Sequence, residues 1–193
     1  MFHAPVKQLV AEQLLRECDM RNFVPQFIHH SKKGRKQMYI RKAQPKDIPG
    51  LNRLLGQVLL VHHQGRPDIF QATGKKYTDE ELLRIIKDED RPVFVCADDN
   101  DEVAGYAFCI LEDHTPDHQM QDILTMYIDD ICVDENRRGQ HIGSLLYRHV
   151  LEYTRSRGCY NVTLNVWECN PGARKFYEAC GMKPLKTGME TVL

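Results

Sequence analysis

Apolar and polar residues alternate, or recur every three to four positions, along most of the chain after residue 37. The alternation in "MYIRKA", residues 38–43, predicts a short strand. The next segment predicts a helix, because its apolar residues recur at helical spacing: Leu51, Leu54, Leu55, Val58 and Leu59. In "TDEELLRIIKDED", Thr78 precedes Glu81 by three residues, which is the capping-box signature at the start of a second helix.

The middle of the chain predicts a group of strands connected by hairpins. "RPVFVCADD" and "EVAGYAFCILED" are typical of two strands joined by the turn "DDNDE", and "DILTMYIDDICVD" predicts a third strand. A helix over 137–158 and the alternating segment "YNVTLNVWE" follow. A strand, a helix and a strand in this order predict a right-handed parallel crossover. A short helix in "NPGARKFYEACG" and a last strand in "KPLKTGMETVL" complete the pattern.

The order β-α-α-β-β-β-α-β-α-β predicts an α/β fold of the mixed α+β kind. It has a central mixed, mostly antiparallel sheet with helices on both faces, and it occupies residues 38–193. Residues 1–37 show only weak helical periodicity and end in the basic run "HHSKKGRKQ". We expect them to form an N-terminal extension, partly helical or mobile. The alternatives are a partner-binding or nucleic-acid-binding arm, or a functional chain that begins at Met38.

Composition narrows the function classes. Net charge is −1 over 193 residues, so no global basic field argues for nucleic acid. No stretch approaches the roughly 20 apolar residues that cross a bilayer, and no signal peptide is visible, so we expect a cytoplasmic protein. The seven cysteines form no CxxC pattern and are expected to be buried thiols in a reducing compartment. No histidine has the spacing of a metal site.

The stretch "NRRGQHIGSLL", residues 136–146, combines glycines and cations at a helix start. Glycine is a poor helix former, and cations are unfavourable at the positive end of a helix dipole. The first helix amides are donors without partners inside the helix, so a phosphate or pyrophosphate would fit there, with Arg137 and Arg138 adding charge. The GxxxxGK[ST] and GxGxxG patterns are absent, which argues against a nucleotide triphosphatase or a dinucleotide fold.

Two motifs make the chain similar to the GNAT superfamily of acyl-CoA-dependent N-acyltransferases. Residues 138–143 resemble the family's Q/R-x-x-G-x-G/A signature, except that His141 replaces the middle glycine. A second signature, N-x-x-A-x-x-F-Y-x-x-x-G, is matched by residues 170–181. With the order of elements, the resemblance covers residues 38–193 and implies acetyl-CoA as co-substrate.

The resemblance also implies site residues. The pyrophosphate would contact Arg138, Gly139, Gln140, His141, Ile142, Gly143 and Ser144. The pantetheine arm would contact the backbone of Ile131, Cys132 and Val133, and also Asn170. Tyr177 would stand near the thioester sulfur and protonate the departing thiolate, since a neutral phenol has a proton to give at pH 7.

The acceptor amine needs a base, and three carboxylates are candidates. Asp129 and Asp130 are adjacent, so on a regular strand they face opposite sides, and a bulge would change which of them reaches the cleft. Asp68 is the third. Cys132 is an unpromising nucleophile, because neighbouring carboxylates raise the pKa of its thiol.

The segment "VHHQGRPDIFQ", residues 61–71, often forms the acceptor wall in the resembled family. Arg66 would suit an acidic group of the acceptor and Asp68 its ammonium, while Phe70, His62 and His63 would line the wall. Ordinary loop roles are equally open for these residues: Pro67 and Asp68 would turn the chain, and Phe70 would anchor it in the core.

The sequence therefore predicts an N-acetyltransferase without a metal. It would move an acetyl group from acetyl-CoA to a primary amine of a small molecule or peptide, by direct attack in a ternary complex. The alternative is a non-catalytic acyl-CoA-binding regulatory module on the same fold, which His141 favours. A homodimer is compatible with either function.

Overall fold

The structure is a computed structural model that describes residues 37–115, 117–119 and 121–193. The predicted extension over residues 1–36 lies outside the described residues. The strands are β1 (Tyr39–Lys42), β2 (Val93–Ala97), β3 (Val103–Asp113), β4 (Leu124–Val133) and β5 (Asn161–Leu164). The α-helices are α1 (Ile48–Gly65), α2 (Asp79–Lys87), α3 (Ile142–Ser156) and α4 (Pro171–Ala179). A short 3₁₀ turn at Pro45–Asp47 precedes α1. Another at Glu135–Arg137 precedes the loop that leads into α3.

The five strands form one sheet in the order β1-β2-β3-β4-β5. The first three pairings are antiparallel, and β4 pairs with β5 in parallel. The predicted mixed, mostly antiparallel sheet and the parallel pair around α3 are therefore confirmed.

Helices cover both faces of this sheet, as predicted. On one face, α3 and α4 bury Leu146, Val150 and Phe176 against strand residues such as Met126. On the other face, α1 and α2 bury Leu51, Leu54 and Leu82 against residues such as Val95. Packing of these apolar stripes against the sheet is the main source of helix stability. The apolar residues at helical spacing in the sequence are therefore the residues that form the two cores.

Local signals placed two helix starts correctly. Thr78 and Glu81 form the predicted reciprocal capping box before α2. The Asn170 side chain caps α4 by accepting a hydrogen bond from the Ala173 amide at 3.1 Å, with Pro171 in the first turn.

One predicted element is wrong, and one begins later than predicted. Residues 183–193 form no strand, because no neighbouring strand pairs with them and their large apolar side chains are exposed, including Leu185, Met189 and Val192. The helix predicted from residue 137 begins only at Ile142. Positive φ angles at Gly139 and His141 are incompatible with a right-handed helix, so residues 137–141 form a turn ahead of it.

The six cysteines among the described residues are free thiols, and Cys96, Cys109, Cys132 and Cys180 are buried, as predicted. Over the same part of the chain, no cluster of His, Cys, Asp and Glu has a geometry suited to a metal ion. No helix of the described ranges is long and apolar enough to span a bilayer.

Candidate active site

A cavity of about 740 Å³ opens between α1, the carboxyl half of β4, β5 and α4. Its wall includes Arg138 and Gly143 at the start of α3, and Asp129, Asp130 and Tyr177 elsewhere on the same surface. The loop over residues 69–76 contributes a further side. Two residues of the predicted pyrophosphate site, Arg138 and Gly143, thus share a cavity with the three predicted catalytic residues. The other residues predicted for the pyrophosphate are not part of its wall: Gly139, Gln140, His141, Ile142 and Ser144.

The cavity exists because β4 and β5 pair over only a short distance. Their parallel ladder runs from Thr125 opposite Asn161 to Ile128 opposite Leu164. Beyond that point β4 continues to Val133, whereas β5 ends. Residues 131–133 of β4 therefore have no strand beside them on the edge where β5 would continue, and this edge faces the cavity. Their peptide groups suit an extended ligand that pairs with a strand.

The turn before α3 has an unusual backbone. Gly139 has φ +75°, and a Cβ added to it would meet no atom within 4 Å, so the space beside it is open. His141 has φ +62° and is the residue before the helix. This left-handed conformation is the physical reason that a glycine suits position 141, and the histidine adopts it nonetheless.

The remaining residues of the predicted pyrophosphate site lie on either side of the helix start. Gln140 and His141 are exposed, Ile142 and Gly143 are buried, and Ser144 is half-buried. Residues 142–144 supply the first amides of α3, and the helix ladder begins with the Leu145 amide, which bonds the His141 carbonyl at 3.0 Å.

The two arginines of the turn have different environments. Arg137 donates to Oδ2 of Asp98 at 2.9 Å, and Asp98 is fully buried. The other oxygen of Asp98 accepts from the amides of Asn100 and Glu102 in the β2–β3 hairpin. Arg137 therefore ties the turn to the hairpin, while Arg138 is the arginine that lines the cavity.

A β-bulge determines where Asp129 and Asp130 point. The β3–β4 register pairs Phe108 with Asp130 and Cys109 with Ile128, so Asp129 is an extra residue on β4. The bulge also reverses which face of the sheet the following side chains of β4 point to. Ile128 belongs to the core under α3, but Cys132, four residues later, belongs to the core under α1.

Both carboxylates consequently reach the same cation. Lys76 Nζ donates to Asp129 Oδ2 at 2.9 Å and lies 3.5 Å from Asp130 Oδ2. The Tyr77 hydroxyl donates to Asp129 and the Tyr106 hydroxyl donates to Asp130, each at 3.1 Å. A regular strand would have separated the two aspartates, so the bulge creates the acidic pair.

Burial and neighbouring charge act in opposite directions on Asp130. Burial raises the pKa of this carboxyl, and the Lys76 ammonium and the Tyr106 hydrogen bond oppose the rise without cancelling it. The two aspartates raise the pKa of Lys76 despite its partial burial. The pair therefore holds a protonated amine, and Asp130 has more affinity for a proton than an exposed aspartate.

Tyr177 lies on α4 in the core, with its ring 5.1 Å from Phe176 and 6.3 Å from Tyr147. Burial raises the pKa of the phenol strongly, and the negative charge of Asp130 adds to the rise. The hydroxyl is therefore neutral across the physiological range and has a proton to donate.

Cys132 lies on the cavity wall but is nine-tenths buried, and burial raises the pKa of its thiol far above the ordinary range. The charge of Asp130 acts in the same direction. The interpretation of Cys132 as a buried strand thiol, rather than a nucleophile, agrees with this environment.

The acceptor side of the cavity is aromatic. Phe70 lies 4.9 Å from the His62 ring and 5.2 Å from the Trp167 ring, measured between centroids. Burial lowers the pKa of His62. Since the ordinary value is near 6.5, His62 is neutral at pH 7, and the three rings form an uncharged wall next to the acidic pair.

Arg66 and Asp68 lie outside the cavity wall. Arg66 donates to Asp68 at 2.8 Å and to Glu190 of the carboxyl-terminal segment at 2.7 Å. These ion pairs account for both charges. Of the five residues predicted for the acceptor wall, His62 and Phe70 line the cavity, whereas His63, Arg66 and Asp68 do not.

Sequence reasoning missed three residues of this site: Lys76, Tyr106 and Trp167. Lys76 lies in a polar loop with no periodic pattern, and Tyr106 alternates with its neighbours like any strand residue. Trp167 is the single tryptophan of the chain and follows β5. Its being the single tryptophan was the one signal that the sequence offered.

Comparisons with known proteins agree with this geometry. Residues 62–182 match the model of the acetyltransferase (GNAT) family. Among solved structures, a mutant of the BH1408 protein from Bacillus halodurans is 31% identical with a TM-score of 0.77, over 80% of this chain and 99% of that one. Glucosamine-6-phosphate N-acetyltransferase from Arabidopsis thaliana shares the fold, with a TM-score of 0.61 at 24% identity over 81% and 98% of the two chains.

Among curated proteins, glucosamine 6-phosphate N-acetyltransferase 1 from Oryza sativa subsp. japonica is 38% identical over 55 residues, which are 28% of this chain and 32% of that protein. Thialysine N-epsilon-acetyltransferase from Bos taurus is 37% identical over 60 residues, which are 31% and 35% of the two chains. The chain thus matches about a third of the length of these curated relatives. The family match spans well over half of the chain and includes most residues of the cavity wall. The chain therefore belongs to the acetyltransferase (GNAT) family.

Proposed function

We propose that this protein is an N-acetyltransferase that moves the acetyl group of acetyl-CoA to a primary amine of a small molecule. One observation carries the proposal: a single cavity joins Arg138 and Gly143 at the start of α3 to Asp130 and Tyr177. Family membership supports the same activity. The named curated relatives, an N-acetyltransferase of glucosamine 6-phosphate and one of thialysine, support a small amine as acceptor.

The residues present fit acetyl-CoA. The open space beside Gly139 and the amides of 142–144 suit a pyrophosphate, and Arg138 adds a positive charge. The segment 131–133 suits the extended pantetheine. Bound acetyl-CoA supplies an activated thioester.

Asp130 is the proposed base. Its carboxylate accepts the proton of the acceptor ammonium, directly or through water, and its raised pKa makes it a better proton acceptor than an exposed aspartate. Asp129 binds the ammonium beside it. Tyr177 donates its proton to the leaving thiolate, and burial keeps it neutral for that step.

The side chains that line the cavity indicate the chemical class of the acceptor. The acidic pair selects a cation, and the rings of His62, Phe70 and Trp167 offer apolar and π surface to the rest of the molecule. We propose an amine whose body is apolar or aromatic, in preference to one that carries a phosphate or carboxylate. Arg66, the cation predicted for an acidic acceptor group, is already paired with Asp68 and Glu190.

Two measurements test this proposal. Isothermal titration calorimetry is expected to detect acetyl-CoA binding, and an amine library is expected to release free thiol. Tyr177→Phe is expected to lower kcat by about 10²-fold or more while acetyl-CoA affinity changes little, because the phenol acts on the leaving group. Unchanged kcat would remove Tyr177 as the acid, and no binding at millimolar acetyl-CoA would remove the proposed function.

The second candidate is a non-catalytic acyl-CoA-binding module. The contact of Lys76 with both carboxylates favours it, since a base that is held by a cation of the protein is not available to an acceptor. Binding of acetyl-CoA without thiol release for any amine would support the module. Robust turnover would exclude it.

A further inference from the structure

We propose that Lys76 is itself an acetyl acceptor, and that the protein acetylates this side chain in cis. The inference rests on the proposed function, because acetyl-CoA is the donor. It names a modification site and a second outcome for the same catalytic residues.

The first observation is the position of Lys76. It is a primary amine on the cavity wall, and its Nζ lies 2.9 Å from Asp129 and 3.5 Å from Asp130. An external acceptor must bring its ammonium to the same carboxylates before it attacks. The protein's own amine thus already occupies the position in which the proposed base deprotonates an acceptor.

The second observation is that the chain holds Lys76 there. The adjacent Tyr77 donates to Asp129 at 3.1 Å, and its ring lies 5.8 Å from Phe108. Thr78 then caps α2. Two anchored residues directly after Lys76 restrict its path, and positioning of this kind raises the effective concentration of the amine at the site.

Lys75 shows that the neighbouring lysine is in a different environment. Lys75 also lines the cavity, but its ammonium pairs with Asp79, 3.0 Å away in the first turn of α2, whereas Lys76 pairs with the carboxylates of β4. The two lysines are adjacent in sequence and differ in the contact that the proposal requires, so they form a matched pair.

The reaction balances with the proposed residues. Asp130 removes a proton from the Lys76 ammonium, and the free Nζ attacks the thioester carbonyl carbon of acetyl-CoA. The N–C bond forms, the C–S bond breaks, and Tyr177 protonates the departing thiolate. The second proton of the Nζ nitrogen passes to the Tyr177 oxygen, and the first leaves Asp130 for solvent. The products are Nε-acetyl-Lys76, free coenzyme A and one proton released to solvent. Acetylation also removes the ammonium from the acidic pair, which then becomes open to an external cation.

The test is incubation of the full-length protein with acetyl-CoA, followed by peptide mass spectrometry of residues 75 and 76. Acetylation at Lys76 is expected to exceed that at Lys75 by about tenfold or more, because only Lys76 has the geometry of an acceptor. Its rate constant is expected to be independent of protein concentration. Tyr177→Phe is expected to slow it by about 10²-fold. Lys42→Arg, at a lysine that pairs with Glu89 outside the cavity wall, is expected to leave acetylation at Lys76 unchanged, and urea-unfolded protein gives the chemical background.

Three outcomes would overturn the inference: equal acetylation of both lysines, a rate constant that rises with protein concentration, or a rate equal to that of the unfolded protein. Acetyl-CoA titration and thiol release with external amines are measured on the same samples. If acetyl-CoA binds and external amines release thiol while Lys76 stays unmodified, the self-acetylation proposal is wrong and the proposed function stands. If acetyl-CoA does not bind, both fail.

Discussion

At the scale of single residues, the site depends on backbone conformations and charges that the sequence shows only indirectly. His141 takes a conformation that suits glycine, and Asp129 is the extra residue of a bulge. Lys76 completes the acidic pair from a loop without any motif. The conformation or contact of each residue is set by residues that are close to it in space.

The conformation of His141 predicts a difference between two substitutions. His141→Gly and His141→Ala both remove the imidazole, but only glycine adopts φ +62° without a steric penalty. We expect the glycine variant to be more stable than the alanine variant by about 1 kcal/mol, measured by urea unfolding. We also expect it to bind acetyl-CoA at least as tightly as the parent. Equal stability of the two variants would contradict the role assigned to this backbone angle.

The charge of Lys76 predicts a change in pH dependence. Lys76 lowers the pKa of Asp130 and also that of His62. Lys76→Met removes this effect, so the pKa values of both groups rise. The rising limb of kcat/KM for an external amine then moves to higher pH, and the KM for that amine falls because a competing cation is gone. Lys42→Arg, at a lysine outside the cavity wall that pairs with Glu89, is the control. A rising limb that stays in place would show that neither Asp130 nor His62 controls this limb.

At the scale of elements, the site is the result of where strands separate and where a helix starts. The short β4–β5 ladder leaves room for a ligand beside segment 131–133. The start of α3 is held against β3 by close packing at Gly105, where an added Cβ would lie 2.8 Å from the Cys132 carbonyl and 3.0 Å from Ile142. The ion pair of Arg137 with the buried Asp98 fixes the turn from the other side.

This packing predicts opposite effects for two glycine-to-alanine changes. Gly105→Ala is expected to destabilise the fold by about 1–3 kcal/mol and to weaken acetyl-CoA binding, because α3 must move away from β3. In helix α1, Gly56 has no atom within 4 Å of an added Cβ. Gly56→Ala is therefore expected to stabilise the fold by about 0.5–1 kcal/mol without changing binding. Denaturant unfolding and calorimetry check both, and a tolerated Gly105→Ala would contradict the packing argument.

At the scale of the whole molecule, two cores hold the sheet from opposite faces, and residues of both line the cavity. Asp130 is placed on the wall of the cavity at the expense of stability, since burial raises its pKa. A carboxyl whose pKa is raised in the folded state contributes stability that is complete below its unfolded pKa. That contribution is lost as the pH rises through the folded pKa.

Because the buried carboxylate of Asp130 destabilises the fold at neutral pH, removing its charge is expected to raise stability and lower turnover. Asp130→Asn keeps the shape of the side chain and an oxygen that accepts from Tyr106. It is expected to stabilise the fold at pH 7 by about 0.5–2 kcal/mol and to reduce turnover strongly. The gain is expected to vanish below a pH of about 3.9, where Asp130 is protonated in both states. Unfolding is measured at both pH values, and an equal gain at each would contradict the origin assigned to it.

Local and periodic features of the fold are encoded in the linear pattern of residues. Apolar spacing predicted nine of the elements, and the capping residues Thr78 and Asn170 set two helix starts. The motifs at 138–143 and 170–181 pointed to the family, because each is a set of residue types at fixed spacing along the chain. These features depend on contacts between residues near in the chain, so a linear pattern records them.

The tertiary structure alone decided the rest. The bulge that turns Asp129 and Asp130 towards one cation depends on the register between β3 and β4, which neither strand encodes alone. The pairing of Arg66 with Glu190 joins residues 124 positions apart. The segment 183–193 forms no strand because no partner strand lies beside it. Long-range contacts set side-chain direction, burial and charge environment, and these properties determine which of the candidate residues meet in the cavity.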